Sequence, residues 1–122
     1  MANIIIVEDE AIVAMESKMN LSGAGHQILA IVSTAEAAIL AFKESTPDLM
    51  LMDIKLKGEL DGVDAMQEIR KQSNVPVIFL TGNSDSKTKS RVGNISNSRY
   101  MQKPILTIEI VDAVNEILAK NP

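Results

Sequence analysis

Short runs of consecutive apolar residues recur along the chain, each followed by a longer segment in which apolar residues return every three or four positions. Residues 3–7 (Asn-Ile-Ile-Ile-Val) are the first run, and continuous apolar runs of this length suit strands buried on both faces. Residues 12–21 follow as a predicted helix, with Ile12, Met15 and Met19 on one side and Glu16 and Lys18 facing elsewhere. The glycines of Ser22-Gly23-Ala24-Gly25 suit its C-terminus. Residues 26–32 are a second run. Ser33 or Thr34 then caps a helix whose Ala35, Ala38, Ile39 and Phe42 fall at i, i+3, i+4 and i+7. Thr46-Pro47 ends that helix, and residues 49–52 form a third strand running into Asp53. A polar loop over 55–61 leads to a helix over 62–72 carrying Val63, Met66 and Ile69. Residues 75–80 are a fourth strand, with Pro76 near its start, where a missing N–H does least harm. A short helix over 86–93, a fifth strand over 99–103 and a last helix over 106–120 complete the pattern. The last helix has Ile110, Val111, Val114, Ile117 and Leu118 as its apolar stripe.

Five strand–helix units in succession imply an α/β fold with a doubly wound parallel sheet and helices on both faces. No linker, internal repeat or low-complexity tract divides residues 1–122, which read as one domain, whether whole or excised from a longer chain. A chain of this length buries about 65% of its unfolded surface, enough for a core without staples. Composition narrows the function. The absence of cysteine excludes disulfides, thiolate metal sites and cysteine nucleophiles. The single histidine, His26, leaves little room for a histidine relay and reads as a surface residue at the start of a strand. A net charge of −4 makes nucleic acid a poor partner. No apolar run reaches the roughly 18 residues of a membrane span, and the N-terminus lacks a signal-peptide pattern, so a cytoplasmic location is expected.

Ligands of doubly wound sheets bind beyond the carboxyl ends of the strands. Glu8, Asp9 and Glu10 follow the first strand, Asp53 the third, Thr81 and Gly82 the fourth, and Lys103 with Pro104 the fifth. Each alone has an ordinary reading as a cap, a turn residue or a solvated charge. Together they place several carboxylates, a hydroxyl and an ammonium on one rim. Crowded carboxylates must protonate, spread apart or share a cation. An oxygen-only donor set favours Mg²⁺. Metal, ammonium and an attacking carboxylate are the components of phosphoryl transfer.

These residues, in this order, resemble the receiver domain of two-component response regulators. The resemblance rests on Val7-Glu8-Asp9-Glu10, Pro47-Asp48-Leu49-Met50-Leu51-Met52-Asp53-Ile54, Asp61-Gly62, Pro76-Val77-Ile78-Phe79-Leu80-Thr81-Gly82 and Tyr100-Met101-Gln102-Lys103-Pro104. It implies a flavodoxin-like sheet of order 2-1-3-4-5 with five helices in three layers. Asp53 would be the phosphoacceptor, taking phosphate from a phosphohistidine on a sensor histidine kinase or phosphotransfer domain. Asp9, Glu8, Asp53 and the backbone carbonyl of Lys55 would hold Mg²⁺, with Mn²⁺ or Ca²⁺ able to substitute. Thr81 and Lys103 would engage the phosphoryl oxygens, and Pro104 would follow a cis peptide bond. Tyr100 would change rotamer when Thr81 moves, remodelling the face of the fourth helix, fifth strand and fifth helix. Such a domain is a switch, not a conventional enzyme. It would act on a downstream effector, with homodimerisation through the fourth and fifth helices as a further option.

Lys55 and Asn83 flank the acceptor and suggest a long-lived phosphoryl group, with the Lys55 ammonium hindering attacking water. The turn over 93–99 is Asn/Ser-rich where the family carries an Ala/Gly-rich one, so a loosely held end of the fourth helix is expected. An aspartate-nucleophile phosphatase would place a second acid where Lys55 stands. Lys55 and Lys57 likewise oppose a calcium loop starting at Asp53, and acids replace the glycine-rich turn of a dinucleotide site. The rival is a receiver-like interaction module that acts without phosphorylation.

Overall fold

The computed structural model describes residues 1–82 and 85–121. Strands β1 (Asn3–Val7), β2 (Gln27–Val32), β3 (Leu49–Asp53), β4 (Val77–Thr81) and β5 (Ser98–Gln102) alternate with helices α1 (Ala11–Gly23), α2 (Ala35–Ser45), α3 (Gly62–Ile69), α4 (Ser86–Gly93) and α5 (Thr107–Ala119). The five strands form one parallel sheet in the order β2-β1-β3-β4-β5, the expected flavodoxin-like topology.

The central strands show why their sequences are continuously apolar. Successive side chains point to opposite faces of a sheet, and both faces here are covered. Ile5, Val7, Met50, Met52, Val77 and Phe79 pack with Ala38, Phe42, Val63, Met66 and Ile69 of α2 and α3. Ile4, Ile6, Leu49, Leu51, Ile78 and Leu80 pack with Ala14, Leu21, Ile110, Val114 and Ile117 of α1 and α5. All residues of β3 and β4 are buried, whereas the edge strands β2 and β5 are only partly covered.

Several boundaries and faces differ from expectation. α3 stops at Ile69, three residues early. The Arg70 side chain instead bridges the segments before β4 and β5: Nη1 donates to the Ser73 carbonyl at 3.2 Å and Nη2 to the Ser96 carbonyl at 2.7 Å. α1 buries Ala14 and Leu21, and its Ile12, Met15 and Met19 stripe faces outward, at 76%, 50% and 69% exposure. His26 is buried, not superficial. Its Nδ1 accepts the Ala2 N–H at 3.1 Å, and its Nε2 faces Asn115 Oδ1 at 3.2 Å, so it ties the start of β2 to β1 and α5.

The polar turn after α4 is also held, contrary to the loose end expected. Asn97 adopts a left-handed backbone, φ 53°, which asparagine tolerates better than most residues. Its Nδ2 donates to the Asn74 carbonyl at 2.7 Å and to Asn121 Oδ1 at 2.8 Å. The Asn/Ser composition thus supplies hydrogen bonds to neighbouring segments. Among the described residues no helix is long and apolar enough to cross a membrane.

Candidate functional site at the carboxyl ends of the strands

β1 and β3 are paired neighbours with Val7 opposite Met52, so the next residues, Glu8 and Asp53, emerge beside one another. The ladder continues past the strand ends: Glu8 N–H donates to the Val32 carbonyl at 2.9 Å, and Ile54 N–H to the Leu80 carbonyl at 3.0 Å. Lys103 N–H donates to the Thr81 carbonyl at 2.7 Å, drawing the end of β5 against that of β4. The Lys103–Pro104 peptide bond is cis.

Glu8, Asp53 and Thr81 are each 5% exposed. Lys103 spans the two acids, its Nζ 2.8 Å from Glu8 Oε1 and 3.2 Å from Asp53 Oδ2. One ammonium between two carboxylates leaves the cluster short of positive charge. Burial pushes the Glu8 carboxyl above its ordinary range, and neighbouring Asp53 adds to this. Lys103 is pushed upward too: burial opposes its charge, but the Glu8 hydrogen bond and both carboxylate charges outweigh that cost. The buried acid therefore keeps its proton to higher pH, and the lysine stays charged.

Glu8, Asp9 and Glu10 bring carboxylate oxygens within 4.8 Å of one another. Glu8 is also fixed by its Oε2, which accepts the Glu10 N–H at 3.2 Å. The graded burial, from Glu8 inside to Glu10 outside, and the oxygen-only donor set suit a hard divalent cation that keeps several waters. Glu10 belongs to this group, although the resemblance implied Glu8, Asp9, Asp53 and the Lys55 carbonyl. Asp53 adjoins the group through Lys103. The Lys55 side chain is exposed. It lines a cavity of about 340 Å³ with Ile54, Asp61, Thr81 and Thr88. Tyr100 is half-buried against the core on the α4 side. Asn83 lies outside the described residues.

Two features of the site were not read from the sequence. Gly62, the first residue of α3, donates to the Ile54 carbonyl at 2.7 Å. A Cβ there would lie 2.3 Å from the Asp53 carbonyl oxygen, so only glycine lets the helix approach the Asp53 backbone. Its position directly after Asp61 in a quoted motif was the available signal. Arg91 on α4 holds Asp61 with both guanidinium arms, at 2.6 and 3.0 Å. Thirty residues separate the two, and no local pattern announces the pair.

Buried acids, a lysine and a threonine gathered at the carboxyl rim of a doubly wound sheet define an α/β domain with a polar site where such folds bind ligands. The response regulator receiver domain model matches residues 4–115, and the chain belongs to that family. It is 38% identical over 79 residues to the phyllosphere-induced regulator PhyR of Methylorubrum extorquens, covering 64% of this chain and 30% of that protein. It is 29% identical over 117 residues to the probable transcriptional regulator ycf27 of Porphyridium aerugineum, covering 96% of this chain and 48% of that protein. The chain thus spans half or less of these relatives' lengths. The solved receiver domain of a modulated diguanylate cyclase from Desulfovibrio desulfuricans superposes with TM-score 0.89 at 27% identity, covering 98% of this chain and 95% of that one.

Proposed function

We propose that this domain is the phosphoryl-accepting switch of a two-component phosphorelay, with Asp53 as acceptor. The observation that carries the reading is the Asp53 carboxylate itself, buried at the end of β3, 3.2 Å from the Lys103 ammonium and beside the Glu8–Asp9–Glu10 cluster. A carboxylate oxygen of Asp53 attacks the phosphorus of a phosphohistidine. The P–N bond breaks, its electron pair returns to the imidazole nitrogen of the donor, and an acyl phosphate forms on Asp53. Lys103 pairs with the arriving phosphoryl oxygens, and the buried Thr81 hydroxyl donates to them. Asp9 and Glu8, with Asp53 and the Lys55 carbonyl, would hold Mg²⁺, which would supply positive charge to those oxygens when bound. Lys55 lines the adjoining cavity, where its ammonium screens the acyl phosphate from water.

The phosphodonor, a histidine kinase or phosphotransfer helix, docks on α1. The exposed stripe of Ile12, Met15 and Met19 lies on that helix. A cavity of about 410 Å³ between α1 and the start of α5 is lined by Val13, Ser17, Leu80, Lys103 and Ile105. The α1 face that carries Val13 and Ser17 thus adjoins the site lysine, and the exposed stripe offers apolar cover on the same helix. On the opposite side, movement of Thr81 toward the phosphoryl group frees space for Tyr100 and remodels the surface of α4, β5 and α5.

Incubation with acetyl phosphate and Mg²⁺ followed by intact-mass measurement tests this. One added phosphate, abolished in Asp53→Asn and reduced in Asp9→Asn, is expected. If the wild type acquires none, and a beryllofluoride mimic with Mg²⁺ leaves its thermal stability unchanged, the phosphorylation-independent interaction module is the correct reading.

A further inference from the structure

α4 has a shallow root in the core, because Val92 is the only buried residue among Ser86–Gly93. Its firmest described attachment is polar. Arg91 Nη1 lies 2.6 Å from Asp61 Oδ2, and Nη2 lies 3.0 Å from Asp61 Oδ1 and 3.2 Å from Asp64 Oδ1. A two-armed guanidinium–carboxylate contact fixes direction as well as distance. The same acids cap α3 reciprocally. Asp61 Oδ1 accepts the Asp64 N–H, and Asp64 Oδ2 accepts the Asp61 N–H, both at 2.9 Å. The adjoining Gly62 is bonded to Ile54 and rests on the Asp53 carbonyl. An unbroken chain of contacts thus runs from Asp53 through Ile54, Gly62 and Asp61 to Arg91. It does not pass through Thr81 or Tyr100.

We propose that Arg91 is a positioning residue that couples α4 to the acceptor, its clamp on Asp61 and Asp64 holding α4 in the arrangement that belongs to a free Asp53 carboxylate. The inference rests on the reading of Asp53 as phosphoacceptor and adds a second line of communication to it. A phosphoryl group adds charge and bulk at Asp53. Gly62 has no space to absorb a displacement of the Asp53 backbone, so movement passes to Asp61. Hydrogen bonds lose strength quickly when misaligned, and the clamp loosens.

Linkage makes this measurable: whatever holds the unphosphorylated arrangement must oppose binding of a phosphoryl mimic. The whole chain is titrated with beryllofluoride in the presence of Mg²⁺, as wild type, Arg91→Ala, Arg91→Lys and Asp61→Asn. The asparagine keeps an oxygen for the Asp64 N–H, so the cap survives while the Arg91–Asp61 ion pair is lost and only the longer Arg91–Asp64 contact stays. Arg91→Ala and Asp61→Asn are each expected to tighten binding about fivefold. Their combination should gain no more than either alone, and Arg91→Lys should restore part of the wild-type affinity. Amide exchange over residues 86–93 should quicken in Arg91→Ala without the mimic. Unchanged mimic affinity, or two effects that simply add, overturns the coupling, whatever the variants do to stability. A wild type that binds no mimic overturns the proposed function and the coupling with it. A wild type that binds normally beside an indifferent Arg91→Ala overturns the coupling alone.

Discussion

Replacing Gly62 by alanine sets two effects of opposite sign against each other. Alanine is the better helix former by up to about 1 kcal/mol, and Gly62 opens α3. The added Cβ, however, would stand 2.3 Å from the Asp53 carbonyl oxygen, 2.7 Å from Met52 Cγ and 3.1 Å from Ile54 Cα. Met52 is fully buried and can move only by repacking within the core. The two backbone atoms cannot turn aside, so α3 or the end of β3 must shift by about 1 Å to restore an ordinary contact. That shift strains the Gly62 N–H to Ile54 carbonyl bond, 2.7 Å long, whose net worth is about 1 kcal/mol. Overpacking adds about 1–3 kcal/mol. A net loss of about 1–3 kcal/mol is therefore expected once the helical gain is subtracted. Urea unfolding followed by circular dichroism measures it, and an unchanged denaturant slope shows that only stability moved. Gly23→Ala is the control: its Cβ would meet nothing within 4 Å, so it should be neutral or stabilising. Because the clash is with the acceptor's own carbonyl, phosphorylation of Gly62→Ala by acetyl phosphate should also slow. A variant as stable as the wild type would show that the loop yields without cost, and the close-approach argument would fall.

Lys103→Met leaves Glu8 and Asp53 buried without their shared cation, and a loss of about 2–4 kcal/mol at pH 7 is expected in urea unfolding. Glu8 is already held above its ordinary value of 4.5 in the folded state. Without the lysine it rises further, so the folded state binds more protons than the unfolded one and the variant regains stability as pH falls from 7 toward 4.5. Asp61 runs the other way: burial opposes its charge, but Arg91 and the Asp64 N–H hold its carboxyl below the ordinary 3.8. Its contribution is present above 3.8 and is lost as pH falls through the folded value, a loss that acid titration of Arg91→Ala should show only in reduced form. His26→Phe strands the buried Ala2 N–H and should lower stability by about 1–3 kcal/mol. Thr34→Ala removes the acceptor for the Ala37 N–H and should cost about 1 kcal/mol, read from the same unfolding curves.

The strands were readable because burial on both faces leaves an unmistakable trace. Ile4, Ile5 and Ile6 are consecutive because alternate residues serve two different helical layers. Thr34 was readable because its hydroxyl caps the helix that begins beside it. α1 resisted the same treatment. Its three large apolar residues point to solvent, and its buried positions include an alanine. Periodicity therefore found a stripe but could not say which side of the helix the sheet would take. His26 was misjudged for a related reason. Its two polar partners, Ala2 and Asn115, lie 24 and 89 residues away, and only the assembled fold supplies them.

The rule that ligands gather beyond the strand ends placed Glu8, Asp9, Asp53, Thr81 and Lys103 on one rim, but it is blind to which of them touch. β5 lies three strands from β1, about 14 Å at ordinary strand spacing, yet Lys103 reaches Glu8 at 2.8 Å. The segment after β5 bends inward, with its N–H on the Thr81 carbonyl, and carries the lysine across β4. The same blindness hid Arg91. The turn that follows α4 looked weak because it is Asn/Ser-rich where the family carries an Ala/Gly-rich one, but it is held by hydrogen bonds from Arg70, Asn97 and Asn121. In this domain apolar pattern places the sheet and its helices, and long-range polar contacts decide how the loops above the sheet are held. Those contacts leave no periodic trace, so the part of the molecule that a phosphoryl group would act upon is the part a linear reading sees least.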